Sequence, residues 1–91
     1  MARGEDFEEH LNAALVTRPA IEQAKGVLVT LRTATPDKAF AELHHACRTH
    51  NVEVGELAGA LVETAAGRRP GNPELRKVIW HEWGTLLPGG L

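Results

Sequence analysis

Residues 18–28, which read RPAIEQAKGVL, form a helical sequence in which Ala24, Lys25 and Gly26 stand together. Glycine inside a helix costs roughly 0.5 to 1 kcal/mol relative to alanine, so Gly26 requires a reason. Either it lets two helices cross closely, with Lys25 a solvated charge, or it lets a binding partner approach the backbone. The choice between these two hypotheses depends on the rest of the sequence.

Length and charge restrict the classes of protein that the chain can belong to. Its 91 residues make one domain with a single core, and its net charge is −2. That balance excludes a generally basic nucleic-acid-binding protein, so any nucleic-acid surface must be local. Cys47 is the only cysteine, which excludes an internal disulfide.

Targeting signals are not found in the sequence. The first ten residues, MARGEDFEEH, contain no apolar stretch that would serve as a signal peptide. No run approaches the roughly 18 apolar residues of a membrane span. We therefore expect a cytoplasmic protein that does not contact a membrane.

Glycine and proline separate several helices, and no segment reads as a strand. The first helix is predicted over about 7–32, with a kink or restart at Pro19. Thr35 caps a second helix that ends near His50, where Asn51 tolerates the left-handed conformation. Its apolar stripe is Ala39, Phe40, Leu43, Ala46 and Cys47, which leaves His44, His45 and Arg48 towards water or a partner.

Two further helices follow. The third stops at Gly67 and carries the apolar stripe Val54, Leu57, Ala58, Leu61, Val62 and Ala65. The fourth begins with Asn72 as its cap, and its apolar side comprises Leu75, Val78, Ile79, Trp83 and either Leu86 or Leu87. The predicted fold class is therefore all-α: three helices, of which the first is long, plus a C-terminal helical extension.

Positive charge is concentrated in two parts of the chain. Residues 10–50 have a balance of plus two, as do residues 68–91, whereas residues 51–67 contain three acids and no base. An anionic partner would therefore contact the first two helices or the last one.

Three motifs occur in order: RPAIEQAKGVL, TPDKAFAELHHACRTHN and VGELAGALVE. Together they resemble the ANTAR domain, the three-helix RNA-binding module of bacterial transcription antitermination regulators. The matching positions are Ile21, Ala24, Lys25, Gly26, Leu28, Thr35, Ala39, Phe40, Leu43, Ala46, Arg48, Asn51, Leu57 and Ala58. The resemblance covers roughly residues 15–65 and indicates an ANTAR-like domain over 1–67 followed by an extension over 68–91.

This resemblance implies a function in transcript control. Family members bind paired RNA hairpins in leader transcripts, which prevents terminator formation. For this chain it implies RNA contacts from seven residues: Arg18, Lys25, Arg32 and Arg48 as cations, Ala24 and Gly26 where the backbone is approached, and Thr35 as the cap. It also implies a homodimer. We expect no receiver or sensor domain in this chain, so an upstream regulatory protein is a possible partner.

Several positions depart from the family pattern. His44 and His45 stand where many members have basic residues, and Val52 and Glu53 replace two cations. Each lost phosphate contact weakens a salt-dependent affinity. The alternative hypothesis is therefore an ANTAR-like protein-interaction or dimerisation module that has lost RNA binding, because the apolar residues exceed what a three-helix core covers.

Other chemistry is less well supported by the sequence. His44, Cys47 and His50 lie three residues apart on a helix, but Cys47 belongs to the apolar stripe and the spacing matches no common zinc module. We expect no metal, no other cofactor and no enzymatic activity. Of the two tryptophans, only Trp80 is a plausible exposed aromatic that stacks on RNA bases.

Overall fold

The structure of the protein is a computed structural model, and it describes residues 18–87. Four helices make up most of this range: α1 covers residues 18–32, α2 is Pro36–His50, α3 is Val54–Ala65 and α4 is Pro73–Trp83. No strand occurs between residues 18 and 87, so the all-α prediction is confirmed. The part of the predicted first helix before residue 18 lies outside the described residues.

The starts of α2 and α4 follow the sequence signals. The Thr35 hydroxyl accepts a hydrogen bond from the backbone N–H of Lys38 at 3.3 Å. The Asn72 side chain accepts one from the N–H of Glu74 at 2.9 Å. In both helices proline occupies the first helical position, where its missing N–H costs nothing.

The ends of three helices rely on residues with positive φ. Asn51 (φ 53°) follows α2 and Gly67 (φ 84°) follows α3, as the sequence predicts. After α3, the N–H of Arg68 donates to the carbonyl of Glu63 at 2.8 Å, which satisfies a carbonyl that the helix leaves free. Thr33 (φ 52°) follows α1 with the same left-handed backbone conformation, which a β-branched residue rarely adopts and which the residue type does not predict.

One hydrophobic core joins all four helices. Its buried residues are Ala24 and Leu28 from α1; Ala39, Leu43, Ala46 and Cys47 from α2; Leu57, Ala58, Ala60 and Leu61 from α3; and Leu75, Val78, Ile79, Trp83 and Leu87 from α4 and the turn after it. The stripes predicted for α3 and α4 therefore face the core. The fourth helix contributes Trp83, the largest fully buried side chain, to the same core as α1.

The stripe predicted for α2 is wrong at two positions. Phe40 is 40% exposed instead of buried, and His44 is half-buried instead of facing water. Because Phe40 lies one residue beyond Ala39, it is at the edge of the buried stripe, about 100° around the helix. At that edge α1 presents the long side chain of Lys25 instead of an apolar residue.

Candidate nucleic-acid interface

The residues predicted to contact RNA divide between α1 and α2. Arg18, Lys25 and Arg32 are spaced seven residues apart on α1 and therefore lie on nearly the same side of the helix. Each interval is about 10 Å along the helix axis. The remaining members are Ala24 and Gly26 on α1, Thr35 before α2, and Arg48 in the last turn of α2.

Lys25 is held against α2 instead of extending freely into water. Its Nζ lies 5.3 Å from the centroid of the Phe40 ring, within the range of a cation–π interaction. The same atom is 3.5 Å from Oε2 of Glu22, and only 23% of its side chain is exposed. The ammonium group is therefore positioned before any partner arrives, so less of its conformational entropy is lost on binding.

Phe40 joins Lys25 to His44. The Phe40 and His44 ring centroids are 4.3 Å apart, with their planes inclined at 54°. Nε2 of His44 is buried and has no hydrogen-bond partner among the described residues. These three side chains, Lys25, Phe40 and His44, form what we call the open contact between α1 and α2.

Gly26 lies beside the open contact and is exposed. A Cβ atom built at this position would meet nothing within 4 Å among residues 18–87, so none of the described helices crosses closely here. The described helices therefore give no support to the helix-crossing hypothesis at Gly26, whereas fully buried Ala24 does lie in the core. The exposed glycine weakens α1 without any packing benefit within residues 18–87, which favours the hypothesis that a partner approaches the backbone.

Arg32 belongs to a different set of contacts. Its Nε donates to Oε2 of Glu42 at 3.2 Å, and the indole Nε1 of Trp83 donates to the same oxygen at 2.6 Å. We call this set, Arg32, Glu42 and Trp83, the covered contact, because Trp83 is fully buried. One of the five N–H donors of the Arg32 guanidinium group, the one on Nε, is thus used within the protein, although 41% of the side chain remains exposed.

Thr35, Arg18 and Arg48 belong to neither the open nor the covered contact. Thr35 uses its hydroxyl to cap α2, which is the role expected of it. Arg18 and Arg48 are exposed, and neither forms an ion pair with another residue of the range 18–87. They are the two predicted cations whose charge is not paired by the described part of the protein.

Phe40 is a further candidate for the interface that helical spacing alone does not identify. It was assigned to the core because it fits the helical spacing, although the family pattern itself includes an aromatic residue there. The aromatic side chain type was the available signal, since exposed aromatic rings stack on nucleic-acid bases.

The histidine-rich stretch of α2 does not form the metal cluster that its spacing permits. Cys47 is buried, and burial raises the pKa of its thiol; the Glu53 carboxylate adds to this shift and Arg48 partly opposes it. A thiol with a raised pKa stays protonated near neutral pH and is a poor nucleophile and metal ligand. His50 instead turns towards α4, where it meets Glu82.

Comparison with known families identifies the family of this domain. The family model of the ANTAR domain matches residues 9–62, more than half of the chain. The chain belongs to the ANTAR domain family. This is a family of RNA-binding regulatory domains, and the match contains all seven candidate residues.

The ANTAR match ends within α3, so α4 lies beyond it. Comparison with curated proteins gives no match, and neither does comparison with solved structures. Within residues 18–87, no helix has both the length and the apolar character needed to cross a membrane.

Proposed function

We propose that this ANTAR protein binds hairpin loops of leader transcripts and prevents terminator formation, and that the open contact with Gly26 forms the centre of its RNA-binding surface. The observation that carries this proposal is the exposed Gly26 beside a positioned cation and an exposed aromatic ring. The aromatic ring, the cation and the glycine would each make a different kind of contact with an RNA loop.

The aromatic ring of Phe40 supplies a stacking surface. Bases in an RNA loop are unstacked and accessible, and stacking on an aromatic side chain contributes about 1 to 3 kcal/mol per base. The ring is 40% exposed while Lys25 and His44 hold it from two sides. A loop base therefore meets a surface that is already fixed.

The cations supply attraction for the phosphates that flank the loop. Lys25 reaches a phosphate next to the stacked base, and the exposed charges of Arg18 and Arg48 attract phosphates further along the RNA. Gly26 has no side chain to keep a sugar or phosphate away from α1. Arg32 contributes less in this proposal, because it already donates to Glu42.

Two departures from the family pattern have structural explanations that do not require loss of RNA binding. Val52 packs against the core, so it has a structural role in this chain. Glu53 precedes the first turn of α3, where a carboxylate interacts favourably with the helix dipole. These replacements remove cations from the α2–α3 connection and leave the open contact as the main site.

The first test is RNA binding by the full chain at low and moderate salt. The probe is an RNA with two closely spaced hexanucleotide-loop hairpins, and the control RNA has scrambled loops. Lys25→Ala should weaken loop-dependent binding at least about tenfold, since hydrogen bonds to charged groups contribute about 1.5 to 3 kcal/mol. The slope of log affinity against log salt should also fall by about one.

Lys77→Ala is the matched control. It removes the same charge from α4, outside the family match, where the side chain is 78% exposed. Its binding should equal that of the unsubstituted protein. Weak binding of both RNAs, unchanged by Lys25→Ala, would contradict the proposal.

That negative result would support the second candidate function, a protein-interaction module that has lost RNA binding. Trp80 favours it, because 53% of this large apolar side chain is exposed on α4. A protein partner, rather than RNA, would then cover Phe40 and Trp80.

Assembly and location belong to the proposal as well. We propose a cytoplasmic homodimer that responds to an upstream regulatory protein, in keeping with the family. We also propose that residues 1–67 form the RNA-binding unit and residues 68–91 an extension of it. Since α4 shares the core of the other helices, the extension would stabilise the unit instead of folding separately.

A further inference from the structure

A group of metal-binding side chain types lies where α2 ends against α4. Nε2 of His50 is 2.9 Å from Oε2 of Glu82, and Nε2 of His81 is 3.9 Å from the same oxygen. The three ligand atoms all lie within 4.8 Å of one another. This is the one group of three or more histidine, cysteine or acidic side chains with such spacing among residues 18–87.

The fold creates this group from distant parts of the chain. His50 is the last residue of α2, and Glu82 lies 32 residues later in the last turn of α4. The burial of the neighbouring Trp83 fixes that turn of α4 against α2. The imidazole rings of His50 and His81 then approach edge to face, with centroids 5.2 Å apart and planes at 73°.

The spacing fits coordination of a small divalent ion. Zinc binds imidazole nitrogen at about 2.0 to 2.1 Å and carboxylate oxygen at about 2.0 to 2.2 Å, so tetrahedral ligand atoms are about 3.3 Å apart. The distances from Oε2 of Glu82 to Nε2 of His50 and of His81, 2.9 Å and 3.9 Å, lie on either side of that value. All three ligand atoms lie within 4.8 Å of one another. Because the His81 side chain is 71% exposed, it is free to make the small adjustment required.

The ligand types select the class of ion. Two imidazoles with one carboxylate suit zinc and neighbouring transition metals, whereas calcium and magnesium require oxygen ligands. Three protein ligands leave at least one coordination position to solvent. A surface groove adjoins the group and is bordered by His50, His81 and Trp80, so water reaches this position.

We propose that His50, His81 and Glu82 bind a divalent transition-metal ion, with zinc as the reference ion. The hydrogen bond between His50 and Glu82 needs no metal by itself. It does not include the third side chain, however, since His81 lies 3.9 Å from the same oxygen, which is beyond hydrogen-bond distance. A metal ion uses all three and ties the end of α2 to α4.

The test uses the untagged full chain, treated with a chelator that is then removed. Zinc is titrated by calorimetry, and cobalt is titrated by visible absorption because its bands report tetrahedral coordination. We expect saturable binding of one ion per chain and a higher thermal midpoint with zinc. A change in tryptophan fluorescence should accompany binding, since Trp80 borders the same groove.

His81→Ala is the deciding variant, because an exposed side chain can be removed without disturbing the core. Loss of residues that only orient a metal ligand weakens binding about 10- to 100-fold, so loss of a ligand should cost at least tenfold. His45→Ala, which removes an exposed imidazole of α2 outside the group, should leave the affinity unchanged. Glu82→Gln should also weaken binding.

Two results would overturn the proposal. One is the absence of saturable binding of one ion per chain. The other is binding that His45→Ala weakens as much as His81→Ala does, which would indicate scattered surface histidines. In either case His50 and Glu82 form a hydrogen-bonded contact between α2 and α4 and nothing more.

Discussion

The open and covered contacts both place a cation of α1 against a side chain of α2. They differ in whether a residue of α4 covers the contact. At the covered contact, Arg32 meets Glu42, and Trp83 of α4 closes over the carboxylate with a 2.6 Å hydrogen bond. At the open contact, Lys25 and His44 flank the Phe40 ring, no residue of α4 closes over it, and 40% of Phe40 remains exposed. The same two helices therefore carry one stabilising contact and one available surface.

The difference shows that similar cations in a sequence do not have similar roles. Lys25 and Arg32 are seven residues apart on the same side of α1. Arg32 donates to Glu42, which also accepts from Trp83 of α4, whereas Lys25 lies over the Phe40 ring. Substitutions at the covered contact should therefore reduce stability, and substitutions at the open contact should reduce binding.

The largest expected effect comes from removing Trp83. Trp83→Ala deletes a fully buried indole, and such truncations cost about 3 to 5 kcal/mol. That loss is a large share of the typical stability of a small domain. The free energy of unfolding, measured by urea denaturation, should fall accordingly.

Trp80→Ala is the control for this prediction. It removes the same side chain type three residues earlier on α4, where 53% of it is exposed. Its effect on the free energy of unfolding should stay below about 1 kcal/mol, since exposed sites contribute little. Equal losses in the two variants would show that α4 does not close the covered contact as described.

A smaller effect is expected at Glu42, which accepts hydrogen bonds from Trp83 and Arg32. Glu42→Ala leaves the buried indole N–H without a partner, which costs about 1 to 3 kcal/mol. Glu42→Gln retains an acceptor oxygen and should cost less. Chemical denaturation of both variants gives the comparison, and an identical loss in each would mean that the acceptor at Glu42 is unimportant.

Local structure was predictable from the sequence because its causes are local. Thr35 and Asn72 start their helices with hydrogen bonds to an N–H two or three residues away. Asn51 and Gly67 end helices with positive φ. Each signal and its effect lie within one helical turn, so spacing and residue type are sufficient to place them.

Contacts that depend on how α4 docks were not predictable from one sequence. The Trp83–Glu42 hydrogen bond joins residues 41 positions apart, and His50 meets Glu82 across 32. Helical spacing specifies which side of a helix is apolar but does not specify which helix covers it. For that reason the sequence alone does not show that His50 meets Glu82 or that Trp83 meets Glu42.

The exposure of Phe40 was missed for a related reason. The template that placed Phe40 with Ala39 in the core describes a stripe whose edges are only approximate. Whether an edge position is covered depends on the neighbouring helix, and α1 supplies Lys25 there. The candidate site was therefore predictable at Lys25 and Gly26 from the family pattern, but its aromatic member required the structure.

The smallest effect on stability, and the sharpest test of the open contact, is expected at Gly26. Gly26→Ala adds a methyl group that meets nothing within 4 Å, so the helix tolerates it without strain. Stability should rise by about 0.5 to 1 kcal/mol, because alanine loses less backbone entropy and favours the helix. RNA binding should fall in the same variant, because the methyl group occupies the space through which RNA approaches α1.

A variant that gains stability and loses RNA affinity separates binding from folding. A protein that is more stable cannot lose affinity by unfolding. Gly59→Ala is the matched control, because that glycine is also helical and has nothing within 4 Å of an added Cβ, but it lies on α3. It should gain stability and keep its affinity for the hairpin RNA. If Gly26→Ala behaves in the same way, RNA does not approach α1 at this position, and the exposed glycine has another cause.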